Sequence, residues 1–144
     1  MNTKEIWQIA MQQSAIDSNC EAKDFCSREN KIVISKNHPK ARKYLELPFV
    51  CDLVSYGNNI VASVQEEYKD IVQDYITKYP VEHCFETPNM HVLNDAFQEK
   101  GYRICFMAEY FLPDVNVLKA LDCPYELRIL TKEDFADLYL PQWS

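Results

Sequence analysis

Residues 87–112 read TPNMHVLNDAFQEKGYRICFMAEYFL, a helix-forming run that feeds a strand-forming one. Thr87 suits an N-cap and Pro88 the first helical position, where its missing N–H costs nothing. Met90, Leu93, Ala96 and Phe97 recur at helical spacing and make one apolar stripe. Gly101 suits the left-handed residue that ends a helix. Residues 102–112 are apolar on both faces except at Arg103 and Glu109. That pattern predicts an interior strand with neighbours on both sides, since a half-buried strand would alternate. A buried Glu109 would need a partner, with Arg103 or Arg128 as candidates; the alternative is an edge position where the strand emerges.

The elements on either side build outward from this unit. Asn2 and Glu5 form a capping box for a first helix, and Asn19 is placed to cap a short second one from residue 21 to about 26. Residues 31–35, KIVIS, read as a β-branched strand. Residues 49–64 read as a hairpin around Gly57-Asn58. Ser63 and Glu66 suggest another capping box. The helix after it carries Tyr68, Ile71, Val72, Tyr75, Ile76 and Tyr79 at helical spacing, and Pro80 stops it. Residues 81–85 suit a short strand. Residues 125–130, YELRIL, read as a further strand, and Thr131 with Asp134 caps a last helix. Alternating helices and strands with one hairpin predict an α/β or α+β fold: a mixed sheet of about five to six strands with helices on both faces.

Composition narrows the function. The chain has 144 residues and a formal net charge of −7. One domain of ordinary size fits that length. The acidic balance argues against a nucleic-acid partner, which needs a basic face. Lys36, His38, Lys40, Arg42 and Lys43 make a local basic cluster, read as a solvated loop. No apolar run is long enough to span a bilayer, and no signal-peptide pattern opens the chain. The six cysteines are irregularly spaced without a CxxC pair, which predicts free thiols and no metal in a reducing cytoplasm. There are only two glycines, Gly57 and Gly101, so no glycine-rich phosphate loop can be assembled.

The densest reactive group is His83-Cys84-Phe85-Glu86. Adjacent strand residues point to opposite faces, so His83 would not activate Cys84 as a nucleophile. A zinc site adding His91 lacks two close ligand pairs. Glu86 beside a helix N-terminus is favoured by the dipole whatever the function.

The run YELRILTKEDFADLY at residues 125–139 resembles the opening of a GNAT-superfamily N-acetyltransferase domain, with Arg128, Thr131, Asp134 and Phe135 at the matching positions. NDAFQEKGY at 94–102 resembles a later helix-to-strand segment of that fold. More broadly, IWQIAMQQSAID, NNIVASV, YPVEHCFETPN, ICFMAEYFLPD and LYLPQWS resemble the N-terminal region of bacterial two-part GNAT proteins. The resemblance implies a GNAT-like sheet. It also implies an accessory or degenerate GNAT-like domain over 1–124, and the first strand and helix of a catalytic domain over 125–144. The rest of the catalytic domain is then expected in cis, beyond Ser144, with acetyl-CoA as its cofactor. The superfamily's Q/R-x-x-G-x-G/A loop is absent, so neither catalytic nor cofactor-binding residues carry over. The expected function is non-catalytic packing that shapes the acceptor cleft, with His83, Glu86 and Glu109 as cleft candidates. The competing expectation is a stand-alone domain that binds a small ligand or a protein.

Overall fold

A computed structural model describes residues 1–104 and 107–135, apart from the side chains of Lys132 and Phe135. Helix α1, Thr3–Ser18, starts as its sequence dictates: the Asn2 side chain accepts from Glu5 N, and the Glu5 carboxylate accepts from Asn2 N, both at 2.9 Å. Asn19 ends this helix in the left-handed conformation at φ 57°, instead of capping a second one. Asparagine tolerates that region better than most residues. A 3₁₀ turn follows at Ala22–Cys26 and buries Phe25 completely.

The sheet has three strands: β1, Lys31–Ile34; β2, Cys51–Val54; and β3, Val61–Val64. Their order is β1-β3-β2, with β1 parallel and β2 antiparallel to β3. Lys31 sits opposite Val61 and Cys51 opposite Val64. Every residue of β3 is buried. On one face Val61 packs with Met11 and Ala15 of α1 and with Phe25. On the other, Ala62 and Val64 pack with two further helices, α2 (Lys69–Lys78) and α3 (Thr87–Gln98). Val72, Tyr75 and Ile76 come from α2, Leu93 and Phe97 from α3. The Phe97 ring meets Tyr68 edge to face, 5.1 Å between centroids, the geometry that aromatic quadrupoles favour.

The expected sheet of five to six strands, and with it the GNAT-like sheet, is therefore corrected to an α+β fold with three strands and three α-helices among the described residues. Three strand expectations fail, each for a physical reason. Residues 81–85 follow Pro80 and coil into a 3₁₀ turn at Val81–His83. Of residues 102–112, those described form no strand. Tyr102 lies against the Tyr68 ring and Ile104 packs on the core, but Tyr110 and Phe111 are 74% and 86% exposed. Two-sided apolarity states that a segment needs cover, not where the cover comes from; both helical layers here are taken up by β3. Residues 125–130 likewise form no strand, with Tyr125, Leu127 and Ile129 exposed. Ser63 lies buried inside β3, so it caps nothing, and α2 is entered through a 3₁₀ turn at Glu66–Tyr68. Helix α3 starts one residue early, with Glu86 as its N-cap. Gly101 does take positive φ, at 81°, and lets Tyr102 N donate back to Phe97 O at 3.1 Å.

Candidate functional site

His83 and Glu86 are brought together by the turn that joins α2 to α3. Pro80 fixes the entry, the 3₁₀ turn places His83 at its end, and His83 Nδ1 lies 2.8 Å from Glu86 Oε1. Both side chains are half-exposed. Asn89 of α3 braces the turn by donating to His83 O at 2.9 Å. The Glu86 carboxylate sits at the positive end of α3, where the helix dipole favours it. Glu109 is exposed and joins no hydrogen bond or ion pair among the described residues, so the third candidate is not drawn to the other two. Cys84 turns inward. It is fully buried, its thiol lies 3.4 Å from Tyr79 O, and the Tyr75 hydroxyl donates to Cys84 O at 2.7 Å. Burial raises its thiol pKa, which removes it as a nucleophile. His91 is exposed on α3, and among the described residues no cluster of His, Cys, Asp and Glu is placed to hold a metal.

A second polar centre lies where the sequence suggested only a solvated basic loop. Arg42 donates its backbone N–H to Asp17 Oδ1 at 2.9 Å and its Nε–H to Asp17 Oδ2 at 2.5 Å. Gln13, one turn earlier on α1, donates to the same carboxylate at 3.0 Å. The Arg42 guanidinium also reaches the Tyr44 hydroxyl at 2.8 Å and lies over its ring. Asp52 of β2 feels both charges. Burial raises its pKa, Arg42 opposes that rise and Asp17 adds to it. One sequence signal could have pointed here. Asp17 stands in the last turn of α1, where the dipole disfavours a carboxylate, so it needed a cation from elsewhere. Two hydrogen bonds from Arg42 to one carboxylate clamp the loop onto α1, while the guanidinium stays partly exposed.

A groove of about 380 Å³ opens beside this clamp, between the C-terminal end of α1 and the outer edge of β1. Ala15, Ile16 and Asn19 form one wall, and Lys31 and Val33 of β1 the other, with Cys20, Asp24 and His38 around them. Lys31 Nζ is 2.7 Å from Asp24 Oδ2 and its side chain remains 42% exposed. Burial alone would raise the Asp24 pKa, but the Lys31 hydrogen bond and the Glu21 N–H outweigh it and hold the carboxyl low. Burial, reinforced by Asp24, pushes the Cys20 thiol up to about 11. The groove thus offers a half-exposed ammonium already paired with Asp24, the Glu21 carboxylate, a protonated thiol and walls of mixed polarity, which is not equipment for nucleophilic catalysis.

No protein-family model, no characterised protein and no solved structure matches this chain. None of its described helices is long and apolar enough to cross a membrane.

Proposed function

We propose that the chain is the non-catalytic accessory part of a cytoplasmic GNAT-type N-acetyltransferase, carrying the opening strand of a catalytic domain that follows in cis. The observation that carries this reading is the state of residues 125–130. Tyr125, Leu127 and Ile129 alternate along the chain and are 79%, 79% and 95% exposed. The turn after them is nevertheless built: Thr131 N and Oγ1 donate to Asp134 Oδ2 at 2.7 and 3.0 Å, and Arg128 approaches Asp134 at 3.8 Å. A capped turn behind an exposed segment whose apolar side chains alternate fits a strand that forms only against the sheet of a following domain. His83 and Glu86 then face the acceptor cleft as a hydrogen-bonding pair.

Acetyl-CoA belongs to the catalytic domain in this reading. Both glycines sit in turns at positive φ, 97° and 81°, and not at a helix start. Glu66, Glu67 and Asp70 crowd the entry of α2, and Glu86 caps α3. Negative charge at these positions repels a pyrophosphate. Calorimetry of this chain with acetyl-CoA is expected to give no dissociation constant tighter than about 1 mM. Micromolar binding would make the chain a cofactor-binding protein and end the accessory reading.

A further inference from the structure

We propose that the loop at residues 36–43 is a docking surface for a short, carboxylate-rich segment of a partner protein. Its charge is concentrated. Lys36, Lys40, Arg42 and Lys43 are four of the chain's 15 cations, and none of its 22 carboxylates stands among them, so the remaining residues carry 11 cations against 22 carboxylates. Lys36, Lys40 and Lys43 are exposed, and none of the three pairs with a carboxylate among the described residues, whereas Arg42 is paired with Asp17. Like charges held on one short loop repel one another, and an anionic partner relieves that repulsion.

The backbone that carries these lysines is fixed in advance. Gln13 of α1 donates to Lys40 O at 3.2 Å, and Arg42 N and Nε both donate to Asp17. Ala41 N and Leu45 N close turns onto His38 O and Arg42 O, each at 3.0 Å. A loop already ordered loses little further freedom when a partner binds, which lowers the cost of association.

The same hydrogen bonds select the anion. Three successive backbone N–H groups are used inside the protein: Lys40 N donates to His38 Nδ1 at 3.1 Å, Ala41 N to His38 O, and Arg42 N to Asp17 Oδ1. They leave no nest of free amides to cradle a phosphate. The Arg42 guanidinium, the group that would grip a phosphate with two parallel bonds, spends Nε on Asp17 and Nη1 on the Tyr44 hydroxyl. What remains is three separate ammoniums, point charges placed four and three residues apart. Carboxylates spaced along a peptide can meet them one each; a single phosphate group cannot. Long polyanions are disfavoured for a different reason. Screening leaves charges a reach of about 8 Å at physiological salt. A nucleic acid or an anionic bilayer that overruns the loop therefore meets the acidic remainder of the surface, beginning with the exposed Glu46. A short acidic segment stays within the loop.

The inference goes beyond the accessory reading, and its test needs this chain alone. Fluorescence anisotropy follows a fluorescein-labelled oligoglutamate peptide at about 50 mM and about 200 mM salt. Saturable binding is expected at the lower salt, weakened at least about fivefold at the higher. Lys36→Gln/Lys40→Gln/Lys43→Gln should weaken it at least about tenfold, with an unchanged unfolding midpoint. Lys4→Gln/Lys78→Gln/Lys119→Gln removes three exposed lysines elsewhere and should change it by less than about twofold. Absence of saturable binding to the glutamate peptide overturns the proposal. So does an equal loss in both triple variants, which would leave net charge as the whole effect. Tighter binding of a phosphopeptide, of single-stranded DNA or of phosphatidylserine vesicles, lost in the first variant, would assign the loop to phosphate and overturn it as well.

Discussion

The Arg42 side chain and backbone both donate to one buried carboxylate, that of Asp17, across 25 residues of sequence. The two partners are unequally exposed: the Asp17 side chain is 3% exposed and that of Arg42 37%. Removing the cation strands a charge inside the protein, while removing the acid frees a guanidinium that can reach water. Arg42→Ala should therefore cost about 3 kcal/mol, near the low end for breaking a buried pair, because Gln13 and a backbone N–H remain. Asp17→Ala should cost less, about 1–2 kcal/mol. Urea titrations of both variants check the order, and a larger loss for Asp17→Ala would contradict it.

The two apolar halves of residues 87–112 should respond oppositely to truncation. Phe97 is 4% exposed and packs on Tyr68, so Phe97→Ala should cost about 3–5 kcal/mol. Phe111 is 86% exposed, and Phe111→Ala should change stability by less than about 0.5 kcal/mol. Thermal or urea unfolding separates the two. The neighbouring Phe106 lies outside the described residues.

That contrast marks what the sequence could reveal. Local signals were legible: the Asn2–Glu5 box, the stripe of α2 ending at Pro80, the strand at KIVIS, the hairpin at Gly57, and the positive φ of Gly101. Each is decided within a few residues. What failed needed to know which apolar surface meets which. Residues 61–64, VASV, are a short and unremarked part of the hairpin, yet they became the doubly covered central strand. The described residues of the longer run at 102–112 did not. For the site, His83 and Glu86 are neighbours in the chain, and their pairing follows from one turn. The Asp17–Arg42 clamp and the β1 groove depend on where a long loop returns, which no periodicity encodes.

Asp52 gives a pH test. Its folded pKa is raised by burial, opposed by Arg42 and assisted by Asp17. A raised carboxyl favours folding where it is protonated, below its unfolded value of about 3.9, and that contribution is lost as pH rises through the folded value. Asp52→Asn removes the ionisation at nearly constant shape. The variant should gain stability relative to the wild type on going from about pH 3.5 to pH 7, read as a widening gap between their denaturation midpoints. A gap that narrows over the same range would mean that ionised Asp52 is held favourably by Arg42.

Thiol reactivity should follow the same burial logic. Cys26 and Cys123 are exposed, whereas Cys84 is fully buried; all three are free thiols. Burial pushes the Cys20 thiol up to about 11 and the Cys51 thiol to about 12, with Asp24 and Asp52 respectively adding to the effect. The thiolate is the reacting species, so its fraction sets the rate at accessible sites. At pH 8 a group at about 11 is about 0.1% ionised, against about 20% for an ordinary cysteine near 8.5. Alkylation with iodoacetamide, mapped residue by residue by mass spectrometry, should label Cys26 and Cys123 first and Cys20 at least about 100-fold more slowly. The Cys20 rate should still climb about tenfold per pH unit between 8 and 10, whereas thiolate formation by an ordinary cysteine near 8.5 levels off above about pH 9.5. Cys84 and Cys51 should resist labelling until the protein unfolds. Rapid modification of Cys20 at pH 8 would mean that the groove beside β1 lowers its thiol pKa. The groove would then hold a nucleophile after all.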